Sequence, residues 1–170
     1  MEQRKQLLYV YDRGRYYGRI RELLESHGLL RSIDNAADAI KIVSAAPLDL
    51  IVTDILLPPG LKHRDDPELA RIVAQHRDTM YEELGLGFIR RVRKPESLNK
   101  NTHIIVATIY EETESRIVPD AREKALRVGA NAYICLGYDG ISKKGYDALG
   151  GQITAALGAK GKHIGGGIGT

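Results

Sequence analysis

Two aspartates and a threonine stand where short apolar runs end: Asp12 after Leu7 to Tyr11, Asp54 after Leu50 to Thr53, and Thr108 after His103 to Ala107. Carboxylates from separate runs that meet at one edge of a sheet offer hard oxygen ligands, which suit a divalent cation such as Mg²⁺. A threonine hydroxyl in the same place can donate a hydrogen bond to an anion. Each residue also has a structural explanation. Aspartate is common at strand ends and turns, Asp12 lies in Asp12-Arg13-Gly14-Arg15 where a turn or salt bridge would account for it, and threonine is a good strand former.

Other chemistries find less support. The single cysteine, Cys135, allows no internal disulfide and no cysteine-based zinc cluster, and its flanks Tyr133, Ile134 and Leu136 predict a buried structural thiol. The five histidines show no metal-ligand spacing, which leaves them surface or capping roles. The formal charge of +3 comes from basic residues interleaved with acidic ones, a balance that gives nucleic-acid binding no support. Apolar runs such as Leu48 to Leu57 fall far short of the roughly 20 residues that cross a bilayer, and Met1-Glu2-Gln3-Arg4-Lys5 leads into no signal-peptide core. The expectation is a cytoplasmic protein with no membrane association.

The elements that must position the three residues follow from periodicity. With 170 residues and 43% hydrophobic content, the chain is sized for a single domain with one substantial core. Five strands are predicted, at Leu7 to Tyr11, Leu29 to Ile33, Leu50 to Thr53, His103 to Ala107 and Ala132 to Cys135. Helical stripes alternate with them: Ile20, Leu23 and Leu24; then Ala36, Ala39, Ile40 and Val43 behind an Asn35 cap; then Phe88, Ile89 and Val92; then Ala121, Ala125 and Val128; and finally Leu149, Ile153 and Leu157. Five βα repeats predict an α/β fold, a doubly wound five-stranded parallel sheet with helices on both faces and a crevice beyond the strands' carboxyl ends.

One segment exceeds a minimal version of this plan. Residues 60–84, between the third strand and the third helical stripe, read as a helical insertion capped by Asp66, with Pro67 in its first turn and Leu69, Ile72 and Val73 on its apolar side. A lid, a partner surface, a homodimer contact through those three apolar residues, and a helix packed locally on the domain are all open to it. The domain is expected to span residues 1–157, followed by a glycine-rich tail at 158–170 without apolar period, which predicts a flexible extension.

Together these segments resemble the receiver domains of bacterial response regulators. Leu50-Ile-Val-Thr-Asp54-Ile-Leu-Leu-Pro58 is similar to the family's third strand and phosphoacceptor loop, including the proline four places after the aspartate. Leu86-Gly-Phe-Ile-Arg-Arg-Val-Arg93, His103-Ile-Ile-Val-Ala-Thr108 and Gly129-Ala-Asn-Ala-Tyr133-Ile are similar to its third helix, fourth strand and entry to the fifth. The resemblance covers about residues 5–157 apart from the insertion and implies a flavodoxin-like fold. It implies a stand-alone receiver in phosphorelay signal transduction, with Asp54 taking a phosphoryl group from a histidine kinase or phosphotransfer protein. Mg²⁺ would be held by Asp12, Asp54 and the backbone carbonyl of Leu56. Thr108 would bond a phosphoryl oxygen, and Tyr133 would be the aromatic switch. No DNA-binding or enzymatic output domain is expected after Leu157, so output would pass to a downstream protein by contact, with no enzyme activity beyond the phosphoryl chemistry of the domain itself.

The chain departs from that pattern twice. Where the family carries a second acid before the first aspartate, this chain has Tyr11. Where it carries a lysine followed by proline after the fifth strand, this chain has Leu136 and Gly137. Losing a charge-assisted contact to phosphate removes about 1.5 to 3 kcal/mol, and Lys143 and Lys144 are the nearest lysines that could reach back from a loop. The departures favour an alternative, a pseudo-receiver that binds partners without phosphorylation. A small-molecule module of similar fold, of cobalamin or flavin type, has slighter support from Asp12-Arg-Gly and Gly165-Gly-Gly-Ile-Gly169, and lacks the cobalamin family's histidine.

Overall fold

Short runs rich in leucine, isoleucine and valine form strands β1 (Gln6–Val10), β2 (Leu29–Ile33), β3 (Leu50–Thr53), β4 (His103–Thr108) and β5 (Ala132–Cys135). The computed structural model describes residues 4–11, 17–109, 119–137 and 142–159. Within it the strands pair in parallel in the order β2-β1-β3-β4-β5, a flavodoxin-like α/β sheet. All four residues of β3 are buried, as a central parallel strand requires when both its faces are covered.

Helices α1 (Tyr17–Glu25), α2 (Ala36–Ala45), α3 (Pro67–Gln75), α4 (Met80–Arg93), α5 (Ala121–Arg127) and α6 (Lys143–Ala159) supply that cover. Strand alternation sorts the core into two layers. Leu8, Val10, Ile51, Ile104 and Val106 pack with residues of α2 to α5. Leu7, Tyr9, Leu50, Val52, Ile105 and Ala107 pack with Ile20 and Leu24 of α1 and with Leu149 and Ile153 of α6. Each fully buried Leu or Ile stabilises the fold by about 1.5 to 3 kcal/mol relative to exposure.

Asn35 caps α2 by accepting from the Asp38 N–H at 2.9 Å. Asp66 caps α3 by accepting from Glu68 and Leu69 N–H at 3.0 and 3.2 Å, with Pro67 as its first residue. A single 3-10 turn, His63–Asp65, leads into that helix. Leu69 and Ile72 are 1% and 4% exposed, and Val73 packs partly against the same core. Leu69 and Ile72 thus pack into the core of their own chain and Val73 does so in part, the arrangement of a helix packed locally on the domain. Arg91 of α4 also ties the insertion down, donating to Asp66 at 3.0 Å and Glu68 at 2.9 Å, while Lys94 reaches Glu68 at 3.1 Å.

The structure shifts several other expectations. Helix α4 begins at Met80, so residues 80–84 form its first turns rather than the end of the insertion. Lys143 and Lys144 open α6 and are exposed, rather than lying in a loop. Gly158 and Ala159 belong to that same helix, and the rest of the expected tail lies outside the described residues. Cys135 is half-buried, its thiol 3.9 Å from the Ile109 carbonyl. At the amino ends of β3 and β4, fully buried Asn99 accepts from the Leu48 N–H at 2.7 Å and donates to the Val43 and Ala46 carbonyls at 2.7 and 2.9 Å.

Candidate functional site

The chain runs from β1 outward to β2 and then crosses to β3 on the other side, so the strand order reverses between β1 and β3. In sheets of this kind ligands bind beyond the carboxyl ends at that reversal. Asp54 is the first residue after β3, and its N–H donates to the Val10 carbonyl of β1 at 2.8 Å. The residue is half-buried, so its carboxylate is anchored without being sealed. One carboxylate oxygen accepts from the Ile55 N–H at 2.6 Å and, more weakly, from the Leu56 N–H at 3.4 Å. Backbone donors of this kind favour the charged carboxylate and hold it in one orientation.

The loop after Asp54 is itself tightly seated. Ile55 and Leu57 are fully buried, and the Leu57 N–H donates to the Tyr81 carbonyl of α4 at 3.1 Å. Gly85 lets α4 come down on this loop, since a Cβ there would lie 1.9 Å from the Ile55 carbonyl oxygen. Leu56 is half-buried between these two anchors.

Thr108 ends β4. Thr53 pairs with Val106, so β4 runs past the end of β3 and carries Thr108 beyond the level of Asp54. It is 1% exposed, and its carbonyl accepts from the Leu136 N–H at 2.7 Å. Tyr133 is 6% exposed and packs in the core layer that also holds Ala121, Ala125 and Val106. Leu136 is 2% exposed in the opposite layer. Asp12 lies outside the described residues, and among those described no group of three or more His, Cys, Asp or Glu side chains could hold a metal ion.

Sequence reasoning missed the aromatic wall beside Asp54. Tyr11 stacks on Tyr17 at 4.1 Å and on Tyr9 at 5.2 Å, and Tyr9 lies parallel to Tyr17 at 6.0 Å. Burial pushes the Tyr9 phenol far above its ordinary range, and the charge of Asp54 adds to the rise, followed by Tyr11 and Tyr17. Tyr9 therefore stays a neutral hydroxyl in the electrostatic reach of Asp54. The sequence shows two tyrosines at i and i+2 and a third opening the next helix, but nothing local says that α1 returns over β1 to stack them. A groove of about 860 Å³ lies nearby, between Asp34, Asn35 and Asp38 on one side and Pro58 to Arg64 on the other.

The same fold occurs in known proteins at low identity. The receiver domain of a sensor histidine kinase from Pseudomonas aeruginosa, with a magnesium ion coordinated in its active-site cleft, matches 91% of this chain over 98% of its own, at 17% identity and a TM-score of 0.60. A response regulator from Chloroflexus aurantiacus, described as putative, matches 91% of this chain over 98% of its own, at 18% identity and a TM-score of 0.58. A response regulator from Hahella chejuensis matches 94% over 96%, at 20% and 0.54. No family model and no curated protein sequence matches the chain. The chain thus has the fold of response-regulator receiver domains. Among the described residues no helix is long and apolar enough to cross a membrane.

Proposed function

We propose that the chain is a receiver-type signalling domain of a two-component system that accepts a phosphoryl group on Asp54 and passes the change on by protein contact. The observation that carries this is the setting of Asp54: half-buried at the strand-order reversal of a receiver fold, with its carboxylate held by the Ile55 and Leu56 N–H groups. Phosphoryl transfer asks a protein for positioning and charge neutralisation more than for covalent chemistry. A carboxylate in fixed orientation at the mouth of a crevice meets the first need, and the donor is a histidine kinase or phosphotransfer protein.

Mg²⁺ would meet the second need by neutralising charge on the transferring group. The residues present fit it in kind. The Asp54 carboxylate and the Leu56 carbonyl are hard oxygen donors, as is Asp12, and a site with few protein oxygens suits an ion that keeps several waters. Thr108 would donate its hydroxyl to a phosphoryl oxygen, and Tyr133 would respond from within the core.

A second reading has its own observation. Leu136 is buried and Tyr11 is stacked on Tyr17, so neither departure from the receiver pattern leaves a charge where the family has one. A pseudo-receiver that binds its partner without phosphate would have this appearance. Amide NMR with Mg²⁺ and beryllofluoride separates the two. The first reading expects shifts at Asp54 to Leu57 that vanish in Asp54→Asn, and a spectrum indifferent to beryllofluoride leaves the second.

A further inference from the structure

A buried ion pair lies one residue from the point where the Asp54 loop touches α4. Leu57 donates to the carbonyl of Tyr81, and the next residue, Glu82, is 4% exposed. Its carboxylate meets the ammonium of Lys124 on α5, whose side chain is 28% exposed. We propose that the Glu82–Lys124 pair is the mechanical link that carries a change at Asp54 to the exposed face of α5. This rests on Asp54 being the modified residue and adds the route by which modification is read.

Three observations converge on that route. First, the loop has no slack. Ile55 and Leu57 are fully buried, and Gly85 puts the α4 backbone directly against the Ile55 carbonyl, so a displacement of Ile55–Leu57 displaces the first turns of α4. Second, Glu82 sits in those turns, and a buried carboxylate keeps its cation close because separation leaves a charge in a poorly solvated place. Third, α5 is a short helix with a weak apolar grip on the core. It has seven residues, it starts from Asp120 in the left-handed region at φ 55°, and no side-chain hydrogen bond caps it. Ala121 and Ala125 are its only fully buried residues, and small side chains grip a core weakly. Past its last turn, Arg93 of α4 also donates to the Gly129 carbonyl at 2.8 Å and to the Asn131 side chain at 2.6 Å, so the carboxyl end of the helix follows α4 as well. The face that moves would present Glu123, Leu126 and Arg127, all exposed.

The test uses the full chain in three forms, wild type, Glu82→Gln and Lys124→Met, followed by amide NMR. On addition of beryllofluoride and Mg²⁺ the wild type is expected to shift both at Asp54–Leu57 and along Ala121–Arg127, whereas both variants shift at Asp54–Leu57 and lose the response along α5. An α5 response of wild-type size in both variants would overturn the link. Coupling is reciprocal, so without beryllofluoride Lys124→Met is expected to move the Ile55–Leu57 amides. Amides that stay in place there overturn the link whether or not Asp54 takes phosphate. If they move but wild type ignores beryllofluoride, the link holds and the phosphoacceptor reading fails.

Discussion

Replacing Gly85 by alanine tests the contact that seats the Asp54 loop. An ideal Cβ would lie 1.9 Å from the Ile55 carbonyl oxygen and 2.7 Å from its carbon, whereas real Cβ contacts essentially never fall under 3.0 Å. The opposing atoms are backbone, and Ile55 is fully buried, so neither can swing away. Overpacking of this kind costs about 3 kcal/mol, at the upper end of its usual range. Alanine returns about 1 kcal/mol through helix propensity, which leaves a net loss of about 2 kcal/mol. For a chain of this size that lowers Tm by roughly 4 to 8 °C. Gly151→Ala in α6 is the control, since no atom lies within 4 Å of a Cβ there. It should stabilise by about 1 kcal/mol. Thermal melts of both variants, followed by circular dichroism, decide the matter. A Gly85→Ala variant as stable as the Gly151→Ala variant would refute the close packing of α4 on the loop.

Asn99→Ala should cost about 3 kcal/mol in urea denaturation, because it strips partners from three backbone groups around Val43, Ala46 and Leu48 in a buried place; a loss under about 1 kcal/mol would mean water replaces the amide. Leu136→Lys should lower stability by about 2 kcal/mol through lost apolar burial and a poorly solvated ammonium. An unchanged urea midpoint for that variant would show that the position opens onto the crevice carboxylate. For Glu68, burial raises the pKa, but hydrogen bonds and charge from Lys94 and Arg91 outweigh it and hold the carboxyl below its ordinary 4.5. A depressed folded-state pKa contributes stability that is complete above 4.5 and lost as pH falls through the lower folded value. Glu68→Gln should therefore flatten the decline of stability below pH 4.5, and an unchanged acid limb would argue against the Arg91 and Lys94 contacts.

Strand and helix periodicity made the sheet readable, because β3 and β4 are apolar on both faces and the stripes of α1, α2, α4 and α6 face inward. The caps Asn35 and Asp66 were readable for the same local reason, a short polar side chain just before an apolar period. Asp54 was legible from its place at a strand end. The tyrosine stack was not, since it depends on how α1 returns over β1, a tertiary fact that single residues do not encode. The seating of the Asp54 loop was hidden too, because it rests on the missing side chain of Gly85 and on backbone groups of Tyr81 and Leu57. The Glu82–Lys124 pair joins residues 42 apart in sequence, and nothing local marks Glu82 as buried. Lys143 and Lys144 looked like loop residues because Gly137 and Gly140 precede them and Gly145 follows. Gly145 instead lets α6 approach the Leu136 backbone, where a Cβ would lie 2.9 Å from its Cα.

Whether Asp54 accepts phosphate is decided by intact mass after incubation of the wild-type chain with acetyl phosphate and Mg²⁺. The account predicts a gain of one phosphoryl group that hydroxylamine removes, as it does an acyl phosphate, and that neither Asp54→Asn nor an incubation with chelator produces. An unmodified wild-type mass, or an equal gain in Asp54→Asn, would contradict it.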